Sequence, residues 1–160
     1  MPSPTLRRRI ALAGGAVAAA AGPAAAQDSG LVTVPSPHPV RETIDRFSAA
    51  VRAEGWVVFT EIDHAAAARA VGMTLAPRTV VLFGNPRAGT PAMAATPLLA
   101  IDLPMRVLVW QDEAGRTQVT RSTGEDIATR LFARHGIAVP PDGRRATDTF
   151  IAGLVAQAVG

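Results

Sequence analysis

Across residues 39–54 the apolar side chains Ile44, Phe47 and Val51 recur three or four positions apart, with Arg and Glu between them, as on one face of a helix. Gly55 is placed to stop it. The following run, 56–62, is rich in β-branched and aromatic residues and reads as a buried strand. Asp63 then stands as the N-cap of an Ala-rich helix over 64–71, closed by Gly72. After Pro77 comes a second core strand, 79–83. A Gly-bracketed loop, 84–89, leads into a helix predicted from Thr90 to about residue 100, with Pro91 in its first turn. Asp102-Leu103-Pro104 breaks the chain. Two further strands, 105–110 and 117–121, flank Asp112-Glu113-Ala114-Gly115 as a hairpin. A helix over 124–135, a turn at 140–143 and an amphipathic helix over 148–159 complete the pattern.

Upstream, residues 27–40 read as a flexible leader. Within them 31–34 form a candidate edge strand, and Pro35, Pro37 and Pro39 oppose regular pairing beyond it. The order strand, helix, strand, helix, strand, helix, hairpin, helix, helix predicts a single α+β (mixed α/β) domain over 41–160. Its expected form is one mixed sheet of about five strands with helices packed on one face.

The first 26 residues follow a different logic. Arg7, Arg8 and Arg9 precede a weakly apolar run, 10–21, and Ala24-Ala25-Ala26 before Gln27. These are the three parts of a cleaved secretory signal, and the apolar run is too short to span a bilayer. The expected location is therefore periplasmic or secreted, by the general or the twin-arginine route. No stable membrane span is expected after cleavage.

Removing that segment changes the electrostatics. The 160-residue chain has 16 Arg, no Lys and 13 acidic residues. Three of the arginines lie in the signal and no acid does, so the remainder is formally neutral. Nucleic-acid binding, which needs surplus positive charge, is not expected. With no Cys, disulfides, thiolate metal sites and a Cys nucleophile are excluded. Absence of Lys removes Schiff-base chemistry. No cofactor is expected. Ser29, Ser36, Ser48 and Ser122 lack a nucleophile-elbow setting. Met73, Met93 and Met105, like Trp56 and Trp110, read most simply as core residues.

The blocks Ile62-Asp63-His64, Gly72, Leu82-Phe83-Gly84-Asn85-Pro86, Gly89-Thr90-Pro91, Asp102-Leu103-Pro104-Met105-Arg106 and Val109-Trp110 together resemble a bacterial and archaeal family called domain of unknown function 302. The likeness covers about residues 61–121. The resemblance implies a compact α/β domain, often exported and able to form a homodimer, with no established activity.

Three clusters are candidate sites. Asn85, Arg87 and Thr90 sit where a strand runs into a helix start, a setting whose free N–H groups suit a small anion or polar ligand. The lysine of a phosphate-gripping loop is missing, so nucleotide hydrolysis is not expected; the plain alternative is an Asn-Pro turn with a Thr cap. Glu61, Asp63 and His64 could share a proton or a metal, although Asp63 already has work as a cap and no second nearby His completes a metal set. Asp102 could act as an acid or pair with Arg106 or Arg87; otherwise it closes a turn. The leading expectation is an exported small-ligand-binding or accessory domain. One alternative is an enzyme using Asp63, His64 and Asp102 as acid–base groups, with or without a metal. Another is a protein-interaction module without a small ligand.

Overall fold

The computed structural model describes residues 29–160; the expected signal peptide, residues 1–26, lies outside the described residues. The chain runs β1 (Leu31–Ser36), α1 (Val40–Ala53), β2 (Val57–Asp63), α2 (His64–Ala70), β3 (Arg78–Gly84), α3 (Pro86–Ala95) and a 3-10 turn (Pro97–Ile101). It continues through β4 (Met105–Gln111), β5 (Thr117–Ser122), α4 (Gly124–Asp126) and α5 (Pro141–Val159). Between the last two, α4 winds on as a π-helical stretch (Ile127–Phe132) and a 3-10 turn (Ala133–His135).

The five strands form one sheet in the order β1-β5-β4-β3-β2. The α+β class and the strand number are as expected, but the mixed pairing is not: every neighbouring pair is antiparallel. Helix length decides this. A parallel crossover needs a helix that retraces the strand, whereas the seven-residue α2 is only about 10 Å long. It caps the end of the sheet, and β3 returns beside β2. Likewise α3 and its 3-10 turn return the chain to the end it left, where Met105 pairs with Phe83. Only α1 crosses the sheet, carrying the chain from the β1 edge to the β2 edge.

The period-2 pattern then sorts the strands into two faces. Val81, Phe83, Val107, Val109 and Val119 point to one face and are buried with Ile44, Phe47 and Val51 of α1 and Ile151, Leu154 and Val155 of α5. Phe47 meets Phe83 edge-on at 5.2 Å between ring centroids. On the other face Val80, Leu82, Leu108 and Trp110 stay half-buried. Trp110 belongs to that face rather than to the core, with its Nε1 donating to Thr120 Oγ1 at 2.9 Å.

Three element boundaries depart from the sequence expectation. The edge strand reaches Ser36 through Pro35, which is tolerable because an edge residue needs only one ladder partner. Residues assigned to a leader thus belong to the domain. Helix α3 begins at Pro86 rather than Thr90, because the Asn85 side chain accepts from Arg87 N at 3.0 Å and Pro86 takes the first position, where its missing N–H costs nothing. Helix α5 begins at Pro141, again with a proline at the first position though with no side-chain cap, and absorbs the expected 140–143 turn.

Candidate functional site

The Glu61, Asp63 and His64 side chains do not converge on one another. Glu61 accepts from both terminal nitrogens of Arg41, at 2.6 and 3.1 Å. Asp63 caps α2, its Oδ1 accepting from Ala66 N at 2.9 Å. His64 is exposed at the start of α2 and hydrogen-bonds neither Glu61 nor Asp102. Among the described residues no group of three or more His, Asp or Glu side chains is arranged to hold a metal.

Asp102 finds a histidine, though not the one the sequence suggested. His135 Nε2 lies 2.6 Å from Asp102 Oδ2, and Arg134 Nη1 donates to the other carboxylate oxygen at 3.1 Å. The imidazole is 7% exposed. Arg106 reaches only the Asp102 backbone carbonyl, at 3.3 Å. Sequence reasoning passed over His135 because 33 positions separate it from Asp102; only the fold, through the π-helical stretch, brings them together.

The Asn85–Thr90 segment does not form an anion cradle. Pro86 has no N–H, Arg87 N is taken by Asn85 Oδ1, and Ala88 N and Gly89 N both donate to Asn85 O. At about 100° per residue, Ala88, Gly89, Ala92 and Met93 share one face of α3, while Arg87 points the opposite way. Arg87 and Thr90 are exposed and Asn85 is half-buried, so the three polar candidates do not converge.

What that inner face of α3 does line is an open pocket of about 560 Å³, within the range of small-molecule sites. Trp56 and Phe59 from the β2 side, Met105 of β4, Ile127 and Phe132 of the π-helical stretch, and Phe150 of α5 supply its other large side chains. The cis Leu103–Pro104 peptide forms part of the wall. No charged side chain is among the lining residues, and Asn85 and Thr147 are the only polar ones.

Local backbone irregularities shape it. The β2–β3 register passes from Val58↔Phe83 to Thr60↔Leu82 and leaves Phe59 unpaired, a bulge that re-aims its ring. That ring crosses Gly84, where a β-carbon would sit 3.4 Å from Phe59 Cε2. Phe59 remains 53% exposed. Trp56 stacks on Phe150, with centroids 4.4 Å apart and planes at 30°. The π-winding over Ile127–Phe132 places both of its terminal residues in the pocket wall.

A family model described as "Domain of unknown function DUF302" matches residues 32–147. The chain belongs to this family. A solved structure, "uncharacterized conserved protein DUF302 from Bacillus stearothermophilus", superposes with a TM-score of 0.66 at 16% identity, over 81% of this chain and 98% of that one. It shares the DUF302 fold. Among curated proteins, the "Fluoride-specific ion channel FluC 1" of Brucella suis biovar 1 is 44% identical over 115 residues, which is 72% of this chain and 44% of that protein. The "Fluoride-specific ion channel FluC 2" of Brucella melitensis biotype 1 is also 44% identical, over 72% of this chain and 41% of its own length. The chain therefore spans less than half the length of these relatives. No helix among the described residues is long and apolar enough to cross a membrane.

Proposed function

We propose that this DUF302 chain is an exported binding domain that takes a small, largely apolar molecule in the pocket between α3, the β2 bulge and α5. The observation that carries the reading is the pocket's chemistry: about 560 Å³ walled by aromatic, thioether and aliphatic side chains, with no charged one. The polar or anionic ligand expected from the sequence becomes the weaker form of the proposal, because the donors that would serve it already have partners. Export rests on the tripartite N-terminal sequence alone. A homodimer, implied by the family resemblance, stays within the proposal, and its mass in solution tests it.

The accessory role draws on the relatives. Their printed name is that of a whole fluoride-specific channel, and this chain matches less than half of each. We read the shared part as a domain that accompanies a membrane protein in those chains and works beside one here. An enzyme alternative would run through Asp102 and His135 rather than Asp63 and His64, but neither lines the pocket.

Titration with Nile red, an uncharged apolar fluorophore, tests the binding reading. Saturable 1:1 binding is expected. Ala88→Glu puts a carboxylate on the pocket wall at a first-turn position that favours the helix, and should weaken binding at least about tenfold. Absence of saturable binding by the parent chain would overturn the reading.

A further inference from the structure

We infer that the molecule held in this pocket is planar and aromatic. The inference rests on the binding-domain reading and adds the ligand's class.

Aromatic residues are scarce in this chain, which has five Phe, two Trp and no Tyr, or 4% in all. Three of the Phe (Phe59, Phe132, Phe150) and one Trp (Trp56) line this pocket. Trp56 and Phe59 are neighbours at the start of β2, but Phe132 comes from the π-helical stretch and Phe150 from α5, so no single element explains the clustering. Met93 and Met105 add two thioethers, which favour contact with ring edges. By contrast Val, abundant elsewhere in the sequence and dominant in the core, contributes nothing to the wall. An acyl chain gains only by the apolar area it buries, whereas a flat ring gains in addition from offset stacking and edge contacts with other rings.

Two features point the same way. The α3 wall is low and smooth, with Ala88, Gly89 and Ala92 at successive inward positions. Facing solvent beside it is Phe59, a half-exposed ring that a bulge holds across Gly84, ready to stack on an incoming plane. The Trp56–Phe150 stack already shows the arrangement such a plane would extend.

The test compares 2-naphthol with decahydro-2-naphthol, which share a carbon skeleton and a hydroxyl but differ in planarity and π-electrons. Calorimetry on the whole chain should give an affinity about tenfold higher for the aromatic compound. In Trp110→Phe protein, the Trp56 ring resonances should shift on binding. Phe59→Leu, which keeps an apolar side chain at an exposed position, should narrow the preference to about threefold. Equal binding of the two compounds would leave the pocket as a site and overturn the aromatic inference. Binding of neither would remove the binding-domain reading itself. If the chain sediments as a dimer that naphthol does not enter, a second copy fills the pocket and the inference falls.

Discussion

Arg121, on the covered face of β5 and only 8% exposed, donates to Asp148 of α5 through Nη1 at 2.8 Å and Nη2 at 3.4 Å. A guanidinium has been placed where the alternation demands an apolar side chain, and one carboxylate answers it. Asp148 Oδ1 also accepts from Gly124 N at 3.0 Å, so a single side chain ties the sheet, the start of α4 and the long helix together. Removing it strands a buried cation. Asp148→Ala should cost about 2 kcal/mol in urea unfolding, below the figure for a fully buried pair because the carboxylate is partly exposed.

The same contact fixes the sign of the pH dependence. The Arg121 hydrogen bond, with help from Gly124 N, holds the Asp148 carboxyl below its ordinary value of 3.8. Its contribution is therefore complete above that value and is lost as pH falls through the lower native one. Acid titration of stability should show less loss below about pH 4 in Asp148→Asn than in the parent chain. An identical acid limb in both would contradict the assignment.

Gly124 is fixed by space rather than by backbone angle. A β-carbon there would overlap the carbonyl oxygen of Arg144 and crowd Asp148 N, both backbone atoms of α5. Gly124→Ala should destabilise by about 3 kcal/mol by thermal or urea unfolding. Gly153→Ala, with nothing near its would-be β-carbon, should be neutral or slightly stabilising.

The Asp102–His135 contact clips the segment after the 3-10 turn to the end of the π-helical stretch. Because the imidazole is nearly enclosed, His135→Ala leaves Asp102 with only the exposed Arg134 as a side-chain partner. The expected loss is about 1–2 kcal/mol, read from the urea midpoint.

Much of this fold is legible in the residues. Asp63 caps α2, Gly55 and Gly72 adopt positive φ at helix ends, and the hairpin turns where Asp112 and Gly115 predict it. These are local signals, decided within a few positions. Strand pairing is not local: the alternation of strands and helices suggests crossovers throughout, but only α1 makes one, while the short α2 and the α3 segment each return the chain beside the strand it left. The pocket was less visible still. Phe59, Phe132 and Phe150 look like ordinary core residues one at a time, and nothing in the sequence announces the β2 bulge or the π-winding that bring them together. The polar loop that did stand out proved to be a helix cap.

Phe59 separates ligand affinity from stability. It is half-exposed and lies on a bulge, so Phe59→Ala should change unfolding free energy by less than about 1 kcal/mol. Its affinity for 2-naphthol should nevertheless fall about tenfold or more by calorimetry.

Amide chemical-shift mapping of the isotopically labelled chain with 2-naphthol locates the site directly. Saturable shifts should concentrate on Gly84, Gly89, Met93, Phe132 and Phe150, with the open sheet face around Leu108 and Thr120 unmoved. Shifts confined to that open face, or none at all, would contradict the claim that this pocket is where the domain binds.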